Sequence, residues 1–482
     1  MKKFYFIIIF FSLLANAQNV PIPDSYFKAK VVDDPSININ GDLEIQFTEA
    51  SLVLNLDLYN ANISSLDGIE YFTNIQYLGC SYNNLTNIDQ VFNLNNLTEL
   101  DCSNNNFTTL NFLGLNNLQT LYCNNYLCTS ITFNGQLNLK NLYFGGPLTN
   151  VDLSSLIALE TAKCEFGSIN NINLGAINLK KLAVLSAIIG TFNASSMLSL
   201  EEFTCYGNVL TSLILGNLPQ LKKLYCPGNQ LTTLDISGLP NLEIFDCQDN
   251  QISQLNISGL STLRQLTCYN NMMNTIITDV VNTSLQYLSC SFNNINTLNT
   301  SVLTGLIGLS CSDNLLTSLN LNNSPNLNVL DCRNNTLTEI LIKNNSLETV
   351  VIFENNPNLV HICADAGQVT DIQNYLTSLG YTNCVVDSAC NLSTTNPNAK
   401  LDFAIYPNPS NGRFTINYNN LDFNNLVNLS VIDLQGRMVY DKENAITQEK
   451  TEINLENVLQ SGVYFVKLYS NNFEKSIKIV VD

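Results

Sequence analysis

Tryptophan is absent from the chain, histidine occurs once (His361), and charged residues make up only 13% of 482 positions. Without a second imidazole, a nucleophile paired with a base has little to draw on, and His361 reads as a packed or exposed ring rather than a catalyst. Basic residues are scarce as well. The balance of 21 Lys and Arg against 40 Asp and Glu leaves a net charge of −19. Such a field repels phosphate backbones and anionic lipid surfaces, which excludes nucleic acid and peripheral membrane binding. Beyond the first residues no stretch is apolar enough to span a bilayer, so the mature chain is expected to lack a transmembrane segment. What the chain does have is 45% hydrophobic residues, enough to fold rather than stay disordered.

Residues 1–17 read as a signal peptide. Lys2 and Lys3 form a positive start, Phe4 to Leu14 an apolar stretch, and Ala15-Asn16-Ala17 an A-x-A cleavage pattern. No cysteine stands at that site to carry a lipid anchor. Cleavage near Ala17 makes the protein secreted or outer-surface, with Gln18 first.

The next signal is a period. One unit is "LKKLYCPGNQLTTLDISGLPN", Leu221 to Asn241, and its slot at Cys226 recurs every 20–22 residues. The slots are Leu58, Cys80, Cys102, Cys123, Phe144, Cys164, Val184, Cys205, Cys226, Cys247, Cys268, Cys290, Cys311, Cys332 and Ile352, giving fifteen repeats. Apolar residues stand five and two before each slot and five and eight after it. Alternation around the slot predicts a short strand, and stacked strands form a parallel ladder about 70 Å long. An asparagine follows three positions later, at Asn83, Asn105, Asn208, Asn229, Asn250, Asn271, Asn293, Asn314, Asn335 and Asn355. Its amide both donates and accepts, which suits a bend where backbone groups lose their ladder partners. Sequons such as Asn84-Leu85-Thr86 fall out of the same pattern and are assigned no glycan. Phe144, Val184 and the "FGGP" at 144–147 mark an irregularity in repeats five to seven.

The pattern L-x-x-L-x-C-x-x-N-x-L resembles the leucine-rich repeat, and residues 52–360 resemble the repeats of bacterial surface proteins of the internalin type. The fold expected is a curved leucine-rich-repeat solenoid followed by a small C-terminal β-sandwich. Its parts are an N-terminal cap (18–51), the solenoid (52–360), a C-terminal cap (361–390), a polar linker (391–400) and the β domain (401–482). That last segment alternates as strands between Pro, Gly, Asn and Asp turns. It resembles the type A sorting domain of the type IX secretion system of Bacteroidota. The resemblance rests on Tyr406-Pro407-Asn408-Pro409, Gly412, the strands around Gly436 and "SGVYFVKL" at 461–468. It implies the secretion machinery as a partner, removal of the tail, and attachment to the cell surface through a lipopolysaccharide.

Eleven of the 15 cysteines fill the repeat slot and read as small buried hydrophobes. Their spacing lacks the short pairs of a zinc site. Cys128 sits off register and reads as core. Cys363, Cys384 and Cys390 gather where the repeats end, beside the helical "AGQVTDIQNYLTSLGY". A Cys363–Cys384 disulfide closing the cap is the preferred pairing, with Cys384–Cys390 as its rival. At the other end "IPDSYFKAKVV" predicts a short helix, which resembles an N-terminal cap. "NINGDLEIQFTE" echoes a calcium loop, with Asn38, Asn40, Asp42 and Glu49 at positions one, three, five and twelve. Two departures, Asn at position one and Leu43 where glycine belongs, favour a plain cap turn over a metal.

The concave face is formed by residues three before, one before and one after each slot. Its carboxylates, Asp57, Glu99, Asp101, Glu165, Glu202, Asp246 and Asp331, stand mostly several rungs apart, too far for paired-carboxylate hydrolysis. No catalytic residue and no cofactor is assigned, and the chain is read as a non-enzyme. Tyr77, Tyr122, Tyr143, Tyr206, Tyr225, Tyr269 and Tyr287 share that face, and tyrosine offers apolar area with a polar tip. Strand propensity alone also accounts for tyrosine there. The expected function is recognition of a protein or glycan on the concave face. A passive structural surface component is the alternative, and a polysaccharide-active enzyme is the weakest reading.

Overall fold

The computed structural model describes residues 18–390 apart from 135, 166, 168, 176 and 177, and residues 402–482 apart from 420–426, 435–436, 447–449 and 471–472. The signal peptide with its cleavage near Ala17, the linker at 391–400 and Gly436 lie outside the described residues. The chain divides into two compact units, 1–390 and 391–482.

A 15-stranded parallel sheet, its strands in chain order from Asn55–Asp57 to Val350–Ile352, is the spine of the first unit. Most of its three-residue strands bury the central residue and turn the two flanking it outward, as the period of two demands. Leu56, Leu78, Leu100, Leu121 and Leu142 stand opposite one another through successive pairings, all sealed from solvent. The slot residue follows, turned inward. Thirteen free cysteines are recorded, every one buried. Burial pushes their thiols up, to about 12 at Cys164 and Cys290, so they pack as hydrophobes rather than react as thiolates.

At the bend the asparagines do what an amide with both a donor and an acceptor can. Asn250 Nδ2 donates to the carbonyls of Cys226 (3.0 Å), Cys247 (3.1 Å) and Gln248 (3.1 Å), while its Oδ1 accepts from the Leu231 N–H (3.0 Å). Asn229, Asn314 and Asn335 repeat this pattern. One position earlier the backbone turns left-handed, with φ of 53–55° at Asn104, Asp249, Asp313 and Asn334. Asn and Asp tolerate that region better than other side-chain-bearing residues.

The last rung corrects the sequence reading by one residue. Asp331 pairs with Ile352, so the neighbour of Cys332 is Phe353, which is wholly buried. The amide that closes this bend belongs to Asn356, donating to Cys332 and Phe353. Asn355 instead takes the left-handed position, with φ 56°. A step of 20 or 21 residues fits the period equally well. Packing decides, because Phe353 fills the end of the stack against Tyr375, with ring centroids 5.1 Å apart.

In the irregular middle the strands lengthen, from Thr120–Asn124 through Asn141–Gly145 and Thr161–Glu165 to Lys181–Leu185. Asn125, only two past its slot, substitutes in the ladder by accepting the Asn105 N–H at 2.8 Å. Gly146 is required beside it: at φ 133° a Cβ would lie 2.2 Å from the Asn125 carbonyl oxygen.

Both ends of the stack are covered. Asp24 caps a helix at Ser25–Val32, its Oδ1 accepting from Tyr26 and Phe27 while Oδ2 accepts from Ser64 and Ser65 of the first repeat. In the loop after it, the Glu49 carboxylate accepts the N–H groups of Ile39, Asn40 and Gln46. Asn38, Asn40 and Asp42 are likewise engaged with neighbours within the loop. These bonds close the segment on itself as a turn. At the far end a helix at Val369–Ser378 packs on the last rungs. The disulfide there joins Cys363 to Cys390, with Cα atoms 5.0 Å apart, and Cys384 is free and buried. The expected Cys363–Cys384 pair is therefore replaced. Strand Val385–Asp387 pairs beside His361–Ala364 and carries the chain past Asp387, which accepts the Cys390 N–H. This bond brings Cys390 back over Cys363. His361 is buried between two carboxylates, Nδ1 at 2.9 Å from Glu339 and Nε2 at 3.2 Å from Asp387.

The second unit holds two antiparallel sheets, one of three strands and one of four. They enclose a core of their own that includes Phe414, Ile416, Val431, Leu468 and Ile479, as a small sandwich requires.

Candidate ligand-binding face

The ladder presents two outward columns. The first runs through Tyr77, Glu99, Thr120, Asn141, Thr161, Lys181, Glu202, Lys223, Ile244, Gln265, Tyr287, Gly308 and Val329 by direct pairing. The second, two residues on, includes Asp101, Tyr122, Tyr143, Lys163, Tyr225, Asp246, Thr267, Ser289, Ser310 and Asp331.

The seven tyrosines do not make one patch. Tyr122 and Tyr143 are brought together on adjacent rungs, their rings stacked at 4.6 Å and 10° and half-exposed. Burial, then the Tyr143 hydroxyl, Glu99 and Asp101, push the Tyr122 phenol up. Tyr77 stands two rungs earlier with its ring laid over Gly79, where a Cβ would meet the hydroxyl at 2.6 Å. Burial and the carboxylates Asp57, Asp101 and Glu99 raise its phenol too. Tyr206 and Tyr225 occupy neighbouring rungs without a ring contact between them among the described residues. Tyr269 lies one past its cysteine, and Tyr287 stands alone beside Gly308. Two aromatics escaped the sequence reading: Tyr59 and Tyr82 meet edge-on at 5.3 Å, 51% and 53% exposed. Tyr59 sits one past its slot, a position already assigned to the face, so it was findable. Tyr82 sits at the bend, where asparagine is usual.

The carboxylates are mostly occupied. Asp57, Asp101, Asp246 and Asp331 each accept the N–H two residues on, at 3.0–3.3 Å, which makes them turn-formers. Lys163 reaches Glu165 at 2.7 Å and Lys223 reaches Glu202 at 3.8 Å. None of this resembles an acid–base pair.

Residues 219–262 match the family model of leucine-rich repeats, in two copies. The solenoid is a leucine-rich-repeat domain. Residues 404–482 match the secretion system C-terminal sorting domain, and the second unit is that domain. Among solved structures, the functional domain of InlJ from Listeria monocytogenes, which includes a cysteine ladder, is 22% identical. The match covers 96% of this chain and 98% of that one at a TM-score of 0.56, a likeness of fold. An internalin (inlF) from Listeria monocytogenes strain 4b F2365 is also 22% identical, over 73% of this chain and 98% of its own, at a TM-score of 0.40. No curated protein matches the chain. Leucine-rich repeats form a protein-binding fold rather than one typical of enzymes, and the sorting domain marks the chain as secreted or outer-surface. Among the described residues no helix is long and apolar enough to cross a membrane.

Proposed function

We propose that the chain is an exported recognition protein whose concave ladder face binds a protein or glycan ligand, with Tyr77, Tyr122, Tyr143, Tyr206, Tyr225, Tyr269 and Tyr287 as its contact residues. It enters the export route by cleavage near Ala17, and residues 401–482 then address it to the type IX machinery and are removed. The observation that carries the reading is the Tyr122–Tyr143 stack, half-exposed on an open sheet with no covering segment described over it. Exposed aromatic area of this kind is costly in water and is recovered when a partner covers it.

The test is a glycan and cell-surface array probed with the full chain and with a Tyr122→Ser, Tyr143→Ser double variant. Capture by the parent and a loss of about tenfold or more in the variant is expected, the size of a central aromatic contact. Equal capture by both would remove the tyrosines from the site. No capture of any ligand would leave the passive structural component as the better account.

A further inference from the structure

Between Asp246 and Asp331 the outward residues of the ladder shrink. Thr267, Ser289 and Ser310 succeed one another in one column, and Gly308 interrupts the other. They open a hollow of about 580 Å³ floored by the strand backbone at Leu266, Leu288 and Leu309, whose own side chains point into the core, with Tyr287, Ile307 and Val329 as its apolar lining. Tyr287, half-exposed, forms one wall. Its ring leans on Gly308, where a Cβ would come within 3.1 Å of it, and Val329 stands on the other side. Apolar walls with hydroxyls between them suit an aliphatic side chain whose backbone hydrogen-bonds above it.

The carboxylates of the face divide into those with a cation at hand and those without one among the described residues. Glu165, Glu202 and Asp331 each have a cation within 4 Å. Asp246 has none among the described residues and keeps one oxygen beyond its turn bond to Gln248. It is half-buried, and that burial, with Asp249 nearby, pushes its carboxyl up. Four rung steps separate Asp246 from Asp331, about 19 Å, the length of roughly six extended residues. On the Tyr287 rung the bend holds Phe292, 57% exposed at φ 53°. The same left-handed turn stands one place before the ladder asparagine in other repeats, at Tyr82 (φ 57°) as at Asn270 (φ 52°), so it belongs to the repeat. Met272 and Leu315, on the rungs to either side, are also exposed.

We propose that this hollow docks an extended segment of a basic polypeptide, seating one aliphatic side chain over Gly308 beside Tyr287 and placing a lysine or arginine against Asp246. The inference rests on the recognition reading above and narrows the ligand to a chemistry. A neutral sugar would leave the Ile307 and Val329 walls and the Asp246 charge unanswered.

The full chain is probed against an array of immobilised ~10-residue peptides with one aliphatic position and flanking Lys, Gln or Glu, beside an array of neutral and acidic oligosaccharides. Lysine-flanked peptides should be captured about tenfold more strongly than glutamate-flanked ones, with capture falling as salt rises from about 50 to about 500 mM. Ser289→Leu, which fills the hollow, should lower capture about tenfold, and Gly308→Val should do the same. Asp246→Asn should erase the preference for lysine over glutamine while keeping the aliphatic preference. Slow alkylation of the buried cysteines confirms that each variant is folded. Equal capture of lysine and glutamate peptides, or capture that survives both hollow-filling changes, overturns the proposal. So does oligosaccharide binding lost on Ser289→Leu. Loss on Tyr122→Ser with Tyr143→Ser, but not on Ser289→Leu, overturns the hollow and keeps the recognition reading. Capture of nothing on either array overturns both.

Discussion

Replacing Asn250 by alanine would strip a donor from the carbonyls of Cys226, Cys247 and Gln248 and an acceptor from the Leu231 N–H. Asn250 is sealed in the bend, where water cannot substitute easily. Leaving such groups unmet costs about 1–3 kcal/mol each, so a loss of roughly 2 kcal/mol or more is expected. Hydrogen exchange should localise it to the rungs of Cys226 and Cys247. Uniform protection along the ladder would argue against the role. Asp24 gives a pH-dependent counterpart. Burial pushes its carboxyl up, but the N–H groups of Phe27, Ser64, Ser65 and Tyr26 outweigh this and hold it below the usual range. A lowered native pKa means stability is present above the ordinary carboxylate value and is lost as pH falls through the native one. Asp24→Ala should cost about 1–2 kcal/mol at neutral pH and flatten that acid limb in a melt followed against pH.

The strand ladder and its asparagines were legible as elements because period and chemistry agreed: a short alternating run, then an amide where the backbone bends. The final rung was not, since Ile352 and Phe353 both satisfy an apolar slot at an allowed step. Only the neighbouring Tyr375 ring chooses between them. Phe353→Ala should cost about 3–5 kcal/mol. Ile352→Ala, on the outward side, should cost well under half of that, and urea melts of the two variants check the assignment. Equal costs would restore the sequence register. The cysteine pairing failed for a related reason. Spacing alone could not show that the Val385–Asp387 strand swings Cys390 back over Cys363. The hollow is written in the sequence as the run Thr267, Ser289, Gly308, Ser310, but small residues carry no periodic signal of their own, and only the pairing of their rungs shows that they open space beside Tyr287. Tyr122 and Tyr143 were placed correctly because adjacency in a parallel ladder follows from the period.

At the scale of the molecule two units each own a hydrophobic core, so the chain's address and its proposed recognition surface are separable. Deleting residues 402–482 should hold the protein inside the cell envelope while its buried cysteines stay as slow to alkylate as before. Fractionation and thiol labelling read the two effects apart, and release of the shortened chain to the surface would show that the tail is not the address.

The asparagine bonds also have a direction. Each amide reaches back, so that Asn250 completes the rung of Cys226 and Asn356 completes that of Cys332, while the Asn356 N–H itself donates to the Tyr381 hydroxyl. The Cys226 carbonyl also accepts from Asn229 of its own rung, so what a rung lacks until its successor docks is the acceptor of an N–H, as Leu231 would lack Asn250. Tyr381 supplies that acceptor at the last rung, so the stretch after the repeats does for the stack what one more repeat would otherwise do.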